Sequence, residues 1–110
     1  MTYQQVFEKV KALFADADVS DIQEHLAYQF TITGEGAGAF YVEVSGGKLA
    51  IEPYTYHDRD AEFTCSADTL FKIASGSMDP IPAVMMGRLK VEGNMEKALK
   101  LKAFLAARKA

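Results

Sequence analysis

The sequence predicts an α+β domain: a five-stranded, mostly antiparallel sheet with helices covering one face. Three observations predict it. Tyr3, Val6, Phe7, Val10, Leu13 and Phe14 recur at i, i+3, i+4 and i+7, the spacing of an amphipathic helix. Between Leu26 and Ser66 the apolar period falls to two, and the segments are joined by short links. Beyond Ser66 helical spacing returns, interrupted once by an alternating stretch at Arg88–Glu92. A run of strands bounded by helices, rather than strict alternation of the two, is the pattern of an α+β sandwich.

The elements follow in order. Thr2 caps the first helix, and Gln5 three residues on completes a capping box; the helix runs to about Ala15. Residues 16–21, with Asp16, Asp18 and Asp21, form a polar connection. Leu26, Tyr28, Phe30 and Ile32 alternate with Ala27, Gln29, Thr31 and Thr33 in a half-buried strand that ends at a flexible turn, Gly34 to Gly38. A second strand spans Phe40 to Val44. Gly46-Gly47 then predicts a tight hairpin, because such turns need positive φ, into a third strand at Lys48–Glu52 that Pro53 ends. Tyr54 to Asp60 is a polar, aromatic loop before a fourth strand at Ala61–Ser66. Short links make these four strands expected antiparallel neighbours. Ser66 caps a short helix through Leu70, Phe71, Ile73 and Ala74, stopped at Gly76. Asp79-Pro80 opens another, since an acidic cap with Pro at the first helical position is a start signal. Gly87 stops that helix, Leu89 and Val91 mark a fifth strand, and a last helix covers about Met95–Ala107.

A chain of 110 residues argues for a single domain over residues 1–110, and 49% hydrophobic residues suffice for one core and one internal cavity. The net charge of −3 argues against general nucleic-acid binding. That charge is uneven: residues 1–60 carry ten acids and four bases, and residues 61–110 five acids and eight bases. The C-terminal bases Lys97, Lys100, Lys102, Arg108 and Lys109 read as a solvated helix face or as a weak docking surface for anionic membranes. One cysteine, Cys65, allows no internal disulfide and fits a reducing, cytoplasmic setting. The N-terminus lacks the basic and apolar runs of a signal peptide, and no stretch approaches 18 apolar residues.

Catalytic motifs are weak. Cys65 sits mid-strand with no base nearby in sequence and reads as a small buried hydrophobe. His57-Asp58-Arg59-Asp60 matches no metal-ligand spacing and reads as a surface loop. Gly34 to Gly38 lacks the Lys-Ser/Thr and the helix of a phosphate loop. No catalytic residue, metal or cofactor is expected.

Residues 61–105 carry a more specific signal. Ala61 to Asp68 leads into Leu70-Phe71-Lys72-Ile73-Ala74-Ser75-Gly76-Ser77-Met78-Asp79-Pro80. Then come Gly87-Arg88-Leu89-Lys90-Val91-Glu92-Gly93-Asn94-Met95 and Ala98-Leu99-Lys100-Leu101. This succession resembles the sterol carrier protein type 2 family. The resemblance implies a five-stranded sheet with an apolar tunnel between sheet and helices. It implies binding, and in some members transfer, of fatty acids, fatty acyl-CoA, phospholipids or sterols. Where the family often has Gln before the Gly of the fifth strand this chain has Met86, and an aromatic pair is replaced by Val84-Met85. A more apolar tunnel suited to acyl chains is the expectation, with sterol one ligand among several.

The chemistry behind that expectation is simple. Each buried methylene is worth about 0.8 kcal/mol, and the unbranched, polarisable Met side chain adapts to varied tails. The candidate tunnel residues are Phe71, Ile73, Met78, Val84, Met85, Met86, Met95, Leu99 and Lys102. Met and Phe at helical spacing also serve as plain core. On the last helix Met95, Ala98, Leu99, Leu105 and Ala106 share a face, and Phe104 points away. Lys102 either carries its ammonium to water or meets a carboxylate or phosphate at the tunnel mouth; Phe104 either packs or inserts at a membrane surface. Expected partners are a lipid or fatty-acyl ligand and a transient membrane surface. The competing reading is an accessory or dimerisation module, in which the chain forms a homodimer and transports nothing.

Overall fold

The computed structural model describes residues 1–15, 17–20 and 22–106, with side chains described through Lys102. The elements are α1 (Tyr3–Phe14), β1 (Leu26–Thr33), β2 (Gly38–Ser45), β3 (Lys48–Glu52), β4 (Ala61–Ser66), α2 (Ala67–Ala74), α3 (Pro80–Met85), β5 (Lys90–Gly93) and α4 (Met95–Ala106). The start signals read from the sequence operate as expected. Thr2 and Gln5 form the capping box of α1, Ser66 caps α2 and Asp79 caps α3 ahead of Pro80.

The sheet order is β3-β2-β1-β4-β5. Pairing is antiparallel except between β1 and β4, which run parallel with Phe30 opposite Phe63. The expectation that the first four strands are antiparallel neighbours fails at this pair. The reason lies in the link at residues 53–60. It leaves the edge strand β3, crosses β2 and β1, and enters β4 on the far side. The lateral distance is three strand spacings, about 14 Å, within reach of eight residues that extend at most about 28 Å. No return along the strands is needed, because β3 ends at the level of Gln29 and β4 begins at the level of Tyr28.

That link covers the sheet face opposite the helices. The Tyr56 ring meets Tyr41 edge-on at 5.1 Å, its N–H donates to Gln29 Oε1, and its hydroxyl donates to Glu43. Asp60 pairs with β1 twice, donating its N–H to the Ala27 carbonyl and accepting the Ala27 N–H on Oδ2. Ala27 and Gln29 are buried as a result. On the helical face, Phe30 stacks on Phe40 and Phe63 at 5.3 and 5.2 Å, with Phe14 from α1 at 5.7 Å. Val6, Phe7 and Val10 from α1 and Leu70, Ile73 and Ala74 from α2 complete this core.

Candidate functional site: an apolar groove under two helices

α4 is pinned at its start. The Asn94 N–H donates to the Asp60 carbonyl, and Asn94 Oδ1 caps the helix by accepting the Lys97 N–H. The buried Tyr28 hydroxyl donates to the Lys97 carbonyl at 2.6 Å, and the Lys97 ammonium pairs with Asp60 at 3.2 Å. These contacts hold α4 over the β4–β5 edge of the sheet. Further along, Ala98 and Leu101 turn into the core, while Met95 and Leu99 stay exposed, Leu99 by 63%.

α3 is short and shallow. Only Ala83 is buried; Ile81, Val84 and Met85 are exposed, Met85 by 83%. The Ala83 carbonyl accepts the N–H groups of Arg88 and Leu89, which turns the chain sharply into β5.

Between these two helices lies a groove of about 240 Å³, open on one side. This is near the low end of ligand-sized pockets, roughly 300–1,000 Å³. Pro80, Ile81, Val84 and Met85 form one wall. Met95, Ala98, Leu99, Leu101 and Lys102 form the other. Phe63, Leu89 and Val91 make the floor, with Phe63 and Val91 paired across β4 and β5.

Lys102 is the one charged residue among the described lining residues. Its Nζ lies 3.1 Å from Asp79 Oδ2. Asp79 Oδ1 accepts the Ile81 N–H at 2.9 Å. This backbone bond first, and the lysine second, hold the Asp79 carboxyl below its ordinary range.

Five of the nine residues expected to line a tunnel border this groove: Val84, Met85, Met95, Leu99 and Lys102. Four do not. Ile73 belongs to the core, because α2 spends its apolar face on α1 and the sheet. Phe71, on the same helix, is half-buried beneath the Lys9 ammonium, 4.4 Å from the ring centre, and lines a separate surface hollow with Met1 and Val6. Met78 packs half-buried against the core in the α2–α3 link. Met86 is the C-cap of α3, past the last helical turn, and points to solvent. The Phe104, Leu105 and Ala106 side chains, and Arg108 and Lys109, lie outside the described residues, as do Asp16 and Asp21.

Phe63, Pro80, Ile81, Leu89, Val91, Ala98 and Leu101 also line the groove and were not among the expected tunnel residues. Leu101 is detectable as the i+3 partner of Ala98. Phe63 becomes a floor residue only through its pairing with Val91, which local pattern does not encode.

The other polar clusters have local partners. In the 57–60 segment, Arg59 pairs with Glu62, and Asp60 is committed to Ala27 and Lys97. Among the described residues no three His, Cys, Asp or Glu side chains converge as a metal site. Burial pushes the Cys65 thiol up to about 12, so at neutral pH it carries almost no thiolate. Among the described residues no helix is long and apolar enough to cross a membrane.

The model of the SCP-2 sterol transfer family matches residues 7–106. The chain belongs to the SCP-2 sterol transfer family. It is 31% identical over 105 residues to hydroxysteroid dehydrogenase-like protein 2 of Xenopus tropicalis, covering 93% of this chain and 24% of that protein. This SCP-2 chain thus spans about a quarter of that curated relative. Solved structures that share its fold include the following two. Sterol carrier protein 2 from Aedes aegypti, in complex with the C16 fatty acid palmitate, superposes with a TM-score of 0.67 at 23% identity, covering 99% and 98% of the two chains. A stereoselective inverting sec-alkylsulfatase from Pseudomonas sp. gives 0.74 at 17% identity, over 89% of this chain and 15% of the enzyme.

Proposed function

We propose that this SCP-2 chain is a non-catalytic binder of acyl lipids, with the hydrocarbon in the α3–α4 groove and an acidic headgroup at Lys102. The observation that carries this reading is a groove whose described lining is apolar apart from one lysine at its edge. Apolar burial supplies affinity and the lysine supplies orientation, the usual division of labour in small-molecule sites. A micromolar affinity, about 8 kcal/mol, corresponds to about ten methylenes buried at about 0.8 kcal/mol each. The unbranched Met85 and Met95 side chains reorient readily, which suits a groove that must widen for tails of different length. The palmitate complex of the Aedes aegypti protein supports the same reading.

Ile81, Val84, Met85, Met95 and Leu99 rim the mouth with exposed apolar surface, which favours exchange of the lipid at a membrane. The test is titration with a fluorescent C16 fatty acid. Met85→Asp and Lys102→Glu should each weaken binding at least fivefold without changing the far-ultraviolet circular dichroism. Unchanged affinity in both variants rejects the groove as the binding site.

A second reading, an accessory or dimerisation module that transports no ligand, is favoured by one observation: the match covers only 24% of the dehydrogenase-like relative. Native mass spectrometry separates the two. A co-purifying amphiphile supports binding, and an empty dimer that takes up no acyl probe supports the module.

A further inference from the structure

A carboxylate, that of Asp79, stands at the edge of the groove beside Lys102. Its Oδ2 sits 3.1 Å from the Lys102 ammonium, the one cation among the described residues lining the groove. The neighbouring residues Pro80 and Ile81 belong to the groove wall. We propose that Asp79 is a specificity-determining residue: its carboxylate, paired with Lys102, competes for that lysine with the carboxylate of an acidic amphiphile. This inference rests on the reading that the groove takes acyl lipids.

The geometry makes the competition direct. A lysine ammonium has three donors, so Lys102 has the capacity to face two carboxylates. Two like charges held around one ammonium repel each other, however, and the ligand gains less than it would from a free lysine. Asp79 is not free to leave entirely, because Oδ1 is committed to the Ile81 N–H as the cap of α3. Binding of an acid therefore either displaces Oδ2 alone or pulls the start of α3 away from α4. A neutral ligand with the same tail meets no competition and leaves the ion pair intact. The pair thus lowers the groove's preference for acids over neutral lipids and ties the spacing of its two walls to what occupies it.

The size of the effect is bounded. Lys102 and Asp79 side chains are 56% and 40% exposed, and exposed ion pairs of this kind contribute a factor of about 1.5 to 5. The replacement Asp79→Asn removes the charge and keeps a good helix cap, since Asn serves as well as Asp at that position.

The experiment measures displacement of a fluorescent acyl probe by palmitate and by methyl palmitate. It uses the full chain and its Asp79→Asn, Lys102→Gln and doubly substituted variants. Asp79→Asn should bind palmitate about 1.5- to 5-fold more tightly with methyl palmitate unchanged. In the Lys102→Gln background the same change should have no effect. The proposal is overturned if Asp79→Asn leaves palmitate binding unchanged, if it tightens both ligands equally, or if its effect persists without Lys102. Failure of every variant, with the fold intact, to bind the probe overturns the acyl-lipid reading itself, and this inference with it.

Discussion

Leu99 and Leu101 stand two positions apart on α4 and both border the groove, one exposed and one buried in the core, so the pair of variants Leu99→Ala and Leu101→Ala separates ligand contact from stability. Leu101 is 2% exposed and Leu99 is 63% exposed. Removing three carbons from a buried position costs about 2.4 kcal/mol at about 0.8 kcal/mol each. The additional cavity term is small here, because the vacated space joins a groove that is already open. Leu101→Ala should therefore cost about 2–3 kcal/mol, the lower part of the usual 2–5 kcal/mol for such substitutions. For a domain of this size that lowers Tm by about 10 °C. It should also enlarge the groove. Leu99→Ala should change stability by less than about 0.5 kcal/mol, as exposed substitutions do, while weakening binding of a C16 fatty acid about three- to tenfold. Urea unfolding followed by circular dichroism gives the first quantity and probe titration the second. A loss below 0.5 kcal/mol for Leu101→Ala, or above 1 kcal/mol for Leu99→Ala, would refute the assignment of these two side chains.

Three further predictions follow from the packing. A Cβ added at Gly93 would lie 2.6 Å from the Asp60 carbonyl oxygen, at φ +107, so Gly93→Ala should cost about 2 kcal/mol or more and show in the urea midpoint. Cys65 is buried and its thiol pushed up to about 12; iodoacetamide at pH 8 should label it only after denaturant is added, and stoichiometric native labelling would contradict its burial. Glu43 is held below its ordinary value of 4.5, first by its hydrogen bond with His25 and then by the Tyr56 hydroxyl. A lowered folded value means stabilisation that is complete above the unfolded value and lost as pH falls through the folded one. The stability gap between the protein and Glu43→Gln should be present at pH 7 and shrink as the pH falls below the ordinary value of 4.5, which urea midpoints measured across that range will reveal.

Local elements were legible because their signals are local. A capping box at Thr2 and Gln5, an Asp-Pro start at Asp79 and Gly46-Gly47 at positive φ act within four residues, and each operates where the sequence puts it. Strand partners were not legible. The parallel pairing of β1 with β4 depends on a link that crosses the outer face and on Tyr56, Gln29 and Asp60 meeting there. Those contacts join residues about thirty positions apart, and nothing in the period of either strand records them.

The groove divides along the same line. The amino-acid sequence by itself determined that the C-terminal half supplies adaptable apolar side chains and a lysine at helical spacing. It also determined the family, through the succession from Ala61 to Leu101. Tertiary structure alone decided which of those side chains face the groove. Helical spacing marks an apolar stripe without saying what it packs against. α2 meets α1 and the sheet, so Ile73 is spent in the core and Phe71 lies beneath Lys9. α3 is too short to bury more than Ala83, which leaves Val84 and Met85 facing the groove. The same distinction applies to Lys102: its charge is evident in the sequence, but its carboxylate partner across the groove appears only when α3 and α4 are brought together.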